Sequence, residues 1–185
     1  MKYVAWIILA WWLLGCQNQD NHHTKLEHNF TVKRLIILND QQEILLGQED
    51  GLWFTPSMLY TERQHINEGL DSMANAYGVK IDQPKLHGYF SYKYDYHPYA
   101  TLRAFYVARF ESGQLKIPGH LDDVQWFPLK KGIELTPVES MKKAIEAITG
   151  DLGKVWGGSF EVYLDGDKHN TRVVENLYPL FDCKQ

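Results

Sequence analysis

Apolar positions recur at helical spacing between residues 62 and 77, which predicts an amphipathic helix there. Thr61 and Gln64 form a capping-box pair, so we expect the helix to begin at Glu62. Gly78 follows in the position where a positive φ ends a helix. The predicted inward stripe consists of Ile66, Leu70, Met73 and Tyr77.

Runs rich in β-branched and aromatic residues predict strands on both sides of this helix. Residues 32 to 38 and 43 to 47 flank a turn-rich joint and are predicted to form a hairpin. Residues 85 to 94 and 101 to 110 are joined by a short connection, which favours antiparallel pairing. Another short strand is predicted over residues 121 to 128.

A second helix is predicted after these strands. Thr136 and Pro137 open it, because proline is preorganised for the first helical position, and Gly150 ends it after Thr149. Its predicted inward stripe consists of Val138, Met141, Ile145 and Ile148.

The last segment, residues 151 to 185, carries a hairpin signal. Asp165 and Gly166 lie between alternating runs at residues 160 to 164 and 171 to 177. We expect an added C-terminal hairpin that lies against the sheet and either covers an edge or closes one side of a pocket.

The first residues have the pattern of an export signal. One lysine precedes an apolar run from residue 3 to 14, which is too short to span a bilayer comfortably, and the run ends at Gly15 and Cys16. This resembles a bacterial lipoprotein signal peptide over residues 1 to 15. The resemblance implies a lipidated Cys16, a polar tether to residue 30 and a membrane anchor. It also implies the outer membrane, facing the periplasm, if the cell is Gram-negative. An uncleaved anchor with an incidental cysteine is the alternative.

Composition limits the partners of the remaining chain. Without the leader, 18 basic and 23 acidic residues give a net charge of −5. This mild acidity argues against a nucleic-acid partner, which favours a basic face. The length suits one domain, over residues 31 to 150, followed by the C-terminal extension.

The helix and the loop before it resemble the box of the Nudix family, G-x5-E-x7-R-E-U-x-E-E-x-G-U, entered through a Trp and a Pro. Aligning the last glycine with Gly78 places the first at Ser57. The resemblance implies an α/β fold: an α/β/α sandwich with a mixed sheet. The positions of the acidic residues, however, hold Arg63, Ser72, Asn75 and Ala76.

This loss of carboxylates bears on chemistry, since Mg²⁺ requires hard anionic oxygens. The first hypothesis is therefore a binding module for a small ligand or an envelope protein, with no metal or cofactor. The alternative is a divergent hydrolase of a diphosphate-linked substrate that uses Mg²⁺ or Mn²⁺. Its weak catalytic candidates are Glu68, Asp71, Asp122 and Asp123.

Four other residues are candidates for ligand binding: Arg34, Trp53, Tyr60 and Arg103. A strand arginine that faces inward can hold a phosphate or carboxylate with two parallel hydrogen bonds. For Arg103, a cross-sheet ion pair and a ligand clamp remain equally open. The aromatic residues could stack on a ligand ring, or pack in the core.

Overall fold

The computed structural model of the chain describes residues 30–59, 64–96, 98–166 and 168–182. Within these ranges, ten strands form a mixed sheet with helices on its faces. The strands are β1 (Phe30–Leu38), β2 (Glu43–Glu49), β3 (Leu52–Phe54), β4 (Ser57–Leu59), β5 (Val79–Ile81), β6 (Lys85–Tyr94), β7 (Ala100–Gly113), β8 (Asp123–Pro128), β9 (Lys154–Asp165) and β10 (Lys168–Asp182). The helices are α1 (Ile66–Ala76), α2 (Leu129–Leu135) and α3 (Glu139–Gly150).

The sheet runs in the order β10-β9-β6-β7-β1-β2-β3, with β4 on β1, β5 on β7 and β8 on β2. Two pairs are parallel, β1 with β7 and β6 with β9, and the other pairs are antiparallel. The antiparallel pairings of β1 with β2 and of β6 with β7 confirm both sequence predictions.

The core lies in two layers, one on each face of the sheet. In β1, Ile36 and Leu38 face the layer that contains α3, while Leu35 and Ile37 face the layer under α1. All four are buried, as expected for a central strand covered on both faces. The predicted α/β/α sandwich is thereby confirmed.

Helix α1 begins later than predicted. Its first helical residue is Ile66, and His65 is the capping residue, while the predicted cap Thr61 and predicted first residue Glu62 lie outside the described residues. The backbone N–H of His65 donates to the carboxylate of Glu68, three residues downstream, at 3.3 Å. This hydrogen bond caps the N-terminus of α1. Leu70, Met73 and Tyr77 are buried as predicted, but Ile66 is 46 % exposed and does not belong to the inward stripe.

The second predicted helix is present, with a different start. α3 begins at Glu139, so Pro137 precedes the helix instead of opening it. A separate helix, α2, which was not predicted, lies just upstream and contributes Ile133 to the core. Met141, Ile145 and Ile148 are fully buried, and the half-buried Val138 packs at their margin.

The C-terminal hairpin is present as β9 and β10, but it extends the sheet instead of lying against it. β9 pairs in parallel with β6, from Gly88 with Trp156 to Tyr94 with Val162. The hairpin therefore covers the edge of β6 and leaves β10 as the new edge strand.

Candidate functional site

A small cavity opens near the C-terminal end of α1, between β1, β2 and the segment before β8. Its volume is about 170 Å³. A Cβ atom at Gly47 would lie 2.6 Å from Leu121 Cδ1 and 2.8 Å from the Tyr77 hydroxyl oxygen. This wall therefore requires a residue without a side chain. The charged and polar residues that line the cavity are Arg34, Glu49, Thr55, Ser57, Tyr77 and His120.

Arg34 supplies positive charge to the cavity. Its Nη1 donates to the carbonyl oxygen of Thr55 at 3.5 Å and to the Thr55 hydroxyl at 3.4 Å. Its Nε is buried and has no hydrogen-bond partner among the described residues. Burial, assisted by the positive charge of Arg103, lowers the pKa of Arg34 to about 10. A bound anion would relieve both the unmet hydrogen bond and the repulsion.

Arg103 lies on the same face of the neighbouring strand. In the parallel register, Arg103 pairs with Val32 and Phe105 pairs with Arg34, so the two arginines are two positions apart. The guanidinium carbon of Arg103 is 3.7 Å from the centre of the Tyr92 ring. Within the described ranges no carboxylate forms an ion pair with Arg103, and its buried Nε is unbonded. A cross-sheet ion pair of Arg103 with a described carboxylate is therefore not present in this structure.

Tyr77 and Glu49 form the opposite side of the cavity. Tyr77 is the residue that ends α1, and only 7 % of it is exposed. Burial, and then the negative charge of Glu49, raise the pKa of Tyr77 to about 12, while Arg34 opposes the shift. The hydroxyl is therefore neutral at physiological pH and can donate a hydrogen bond.

The helix carboxylates predicted as weak catalytic candidates lie elsewhere. Glu68 is exposed and accepts the capping hydrogen bond from His65. Asp71 is also exposed, and lines a separate surface hollow together with Lys80 and Glu111. Neither carboxylate lines the cavity that contains Arg34.

The two candidates at the start of β8 act mainly on the backbone around them. The exposed Asp122 accepts from the N–H of Gly51 at 3.4 Å, which joins two loops. Asp123 accepts from the N–H of Val124 at 2.7 Å and from the side-chain amide of Gln125. Both lie next to the cavity in sequence, because they follow Leu121, but neither lines it.

The remaining candidates are apart from the cavity or outside the described residues. Trp53 packs edge-on against Phe127, with ring centres 4.8 Å apart, at the margin of the core under α3. Tyr60 and the lipidation candidate Cys16 lie outside the described residues, as does the whole leader. In the part of the chain that is described, no helix is long and apolar enough to cross a membrane.

The metal implied by the Nudix resemblance does not fit the residues of α1. Ser72, Asn75 and Ala76 are exposed on the helix and offer no carboxylate. The described ranges contain no group of three or more His, Cys, Asp or Glu side chains that could hold a metal ion. Lys33 is buried against α1, where a Cβ atom on Gly69 would lie 2.9 Å from its Nζ. Its positive charge further disfavours a cation at this helix.

Sequence reasoning missed part of the cavity. Glu49 precedes a turn and His120 lies in an irregular segment, so neither carries a periodic signal. Tyr77 was predicted as a core residue, which its burial confirms, yet its hydroxyl also reaches the cavity. The alternation of β2 could have marked Gly47 as unusual, since glycine inside a strand often marks a close approach.

The mixed sheet between helices defines the class of the domain, which has the Nudix fold. No family model matches the sequence, and no curated protein matches it. Solved structures are similar in fold. The mutator MutT protein of Bacillus halodurans superposes with a TM-score of 0.64 at 18% identity, over 78% of this chain and 97% of that chain.

Two other solved structures are also similar in fold. A Nudix hydrolase from Nitrosomonas europaea gives a TM-score of 0.56 at 9% identity, over 67% of this chain and 72% of that chain. The MutT protein of Methanosarcina mazei Go1 gives 0.55 at 14% identity, over 68% and 96%. At such identities the similarity establishes the fold and leaves the reaction undecided.

Proposed function

We propose that this Nudix-fold domain is a binding module for a small anionic ligand and does not carry out metal-dependent hydrolysis. The observation that carries the proposal is the distribution of charge: helix α1 lacks the carboxylates of the Nudix box, and the cavity contains a positively charged arginine. The helix positions where the Nudix box has acidic residues are occupied by Ser72, Asn75 and Ala76, whereas the neighbouring cavity presents Arg34.

The cavity sets the size and polarity of the ligand. A volume of about 170 Å³ suits a compact molecule, or one group of a larger molecule. Arg34 provides donors for an anionic group, while Glu49 can accept from an N–H group on the same ligand. A small ligand that carries both an oxyanion and a hydrogen-bond donor fits this lining best.

We further propose that the domain is tethered to a membrane through lipid on Cys16. The support is the leader pattern, in which the apolar run stops at Gly15 and Cys16. In a Gram-negative cell the domain would then face the periplasm from the outer membrane. There it would meet small ligands or other envelope proteins, with no role for nucleic acid.

Calorimetry with metal ions tests the loss of hydrolysis. Mg²⁺ and Mn²⁺ are titrated into the full-length protein in detergent, and we expect no binding in the micromolar range. Matched samples carry Glu68→Ala or Asp71→Ala. Micromolar binding in the wild type that either substitution abolishes would establish a metal site and overturn the proposal.

The alternative is a divergent hydrolase that cleaves a diphosphate-linked substrate. This alternative is supported by the position of Asp122 and Asp123, because they follow the cavity residue Leu121 and could contribute a base from outside the helix. Release of phosphate or a nucleotide from a nucleotide sugar in the presence of Mn²⁺, lost in Asp122→Asn or Asp123→Asn, would establish this alternative. We expect no release.

The membrane tether has its own test. Labelled palmitate should enter the wild-type protein in a bacterial host, and Cys16→Ala should abolish the label and release the domain from the membrane fraction. A Cys16→Ala protein that remains equally membrane-bound would refute the lipid anchor, and would leave the ligand-binding proposal untouched.

A further inference from the structure

Three buried polar groups on adjacent strands lack hydrogen-bond partners. They are Nε of Arg34 in β1, Nε of Arg103 in β7 and the hydroxyl of Tyr92 in β6. Tyr92 is fully buried. Buried polar groups are almost always bonded, so three unmet groups in one area indicate a missing binding partner.

The three residues lie together on one face of the sheet. Residues at even spacing along a strand share a face, and the register of β1 on β7 puts Arg34 and Arg103 two positions apart. On β6, Tyr92 pairs with Thr101, and the guanidinium of Arg103 lies over the Tyr92 ring at 3.7 Å. The charge of Arg103 and the hydroxyl of Tyr92 both act on Arg34, so the three groups are close in space.

The charge of this group is not neutralised by the described part of the protein. The ion pairs of the described ranges are Lys154 with Asp151 and Arg172 with Glu161, and neither involves Arg34 or Arg103. Two neighbouring guanidinium groups without a carboxylate repel each other, and the Nε of each has no hydrogen-bond partner among the described residues. A ligand with two negative charges would compensate both.

We propose that Arg34, Arg103 and Tyr92 form a metal-free site for the phosphate dianion of a monoester. The inference deepens the proposed binding function by assigning the anionic group of the ligand. The two guanidinium groups donate to the phosphate oxygens. The Tyr92 ring holds the Arg103 guanidinium in place by a cation–π contact, which makes Tyr92 a positioning residue. The body of the ligand extends into the cavity beside Arg34.

Calorimetry with inorganic phosphate and with acetate, both without metal, tests the site in the full-length protein. We expect one phosphate per chain and acetate binding at least about tenfold weaker, because a carboxylate carries one charge. Arg103→Gln should weaken phosphate binding by about tenfold or more, and Arg103→Lys should restore only part of the loss because lysine lacks the planar fork.

Two further variants separate a ligand site from a structural role. Tyr92→Phe removes the unbonded hydroxyl but keeps the ring under Arg103, and should weaken phosphate binding less than Tyr92→Leu. Tyr92→Leu also removes the cation–π contact and should weaken binding by about threefold or more. The matched control is Arg109→Gln, an exposed arginine on the same strand, which should bind as the wild type does.

Several results would overturn the site. These are absence of phosphate binding, equal binding of phosphate and acetate, or unchanged affinity in Arg103→Gln. Circular dichroism and the thermal unfolding midpoint of Arg103→Gln are measured alongside, so that a folded variant with lost affinity counts as support. If phosphate binding is absent while manganese also fails to bind, this inference fails and the metal-free binding module stands.

Discussion

Helix α1 and the arginine-bearing strands β1 and β7 carry opposite chemistry. The outward face of α1 presents Ser72, Asn75 and Ala76. None of them is charged, and all three align with glutamate positions of the Nudix box. The strand face presents Arg34 and Arg103 without an acidic partner in the described ranges. In the proposed binding module, therefore, guanidinium groups of the sheet attract the anion, rather than a metal ion on the helix.

The difference shows that the packing of α1 is independent of the chemistry of its exposed face. Leu70, Met73 and Tyr77 keep α1 packed on the sheet, and none of these contacts depends on the outward face. Apolar burial stabilises the packing of α1 on the sheet, whereas a metal site would depend on a few exposed oxygen atoms. Substitutions at exposed positions of α1 should therefore change the free energy of unfolding little.

The largest effect is expected from returning carboxylates to the helix. The combined change Ser72→Glu, Asn75→Glu and Ala76→Glu should raise Mn²⁺ affinity about 100-fold or more, because it supplies hard anionic oxygens at exposed positions. Calorimetry measures the change, and glutamine at the same three positions is the uncharged control. If the glutamate variant binds Mn²⁺ no better than the glutamine variant, the helix face is not where a cation would sit.

A smaller effect is expected from alkaline pH, through Tyr77. Its pKa is raised to about 12 in the folded protein, above the ordinary value of about 10. The folded state therefore holds the proton more tightly, and the free energy of unfolding should fall between pH 10 and 12 by about 2 kcal/mol. Urea unfolding at pH 8 and pH 11.5 measures the fall.

Tyr77→Phe is the matched control for this prediction, since it removes the titrating group and keeps the ring. The pH-dependent fall should be smaller in this variant by the contribution of Tyr77. An identical fall in both proteins would show that the Tyr77 hydroxyl titrates normally, and that the cavity wall is more polar than the buried position indicates.

The smallest effect is expected from removing a guanidinium in the absence of ligand. Arg34→Met should leave the free energy of unfolding unchanged or raise it by about 1 kcal/mol, because it removes a partly unsatisfied charge next to Arg103. The same variant should lose phosphate binding. Urea unfolding without phosphate gives the first quantity, and a loss of more than about 2 kcal/mol would mean that Arg34 is chiefly structural.

The elements of this chain could be found from local patterns wherever periodicity was strong. The stripe of Leu70, Met73 and Tyr77 gave the central helix, and the Asp165-Gly166 turn gave the C-terminal hairpin. Helix starts were less well predicted, because several residues near each start can act as caps. Thus the sequence predicts Thr61 as the cap of α1, whereas the structure has His65 there. It predicts Pro137 as the first helical residue of α3, which begins at Glu139.

By itself, the sequence determined most of the elements, since alternating and helical apolar spacings prescribe which faces must be buried. The resemblance to the Nudix family added the sandwich as an expectation. The sequence also placed Ser72, Asn75 and Ala76 where the Nudix box has acidic residues. Only the tertiary structure decided which distant side chains meet. Glu49 on β2, Tyr77 at the end of α1 and Arg34 on β1 line one cavity although they are far apart in the chain. Arg103 neighbours Arg34 because β1 and β7 pair in parallel with a fixed register, and such long-range pairings leave no local pattern in the chain.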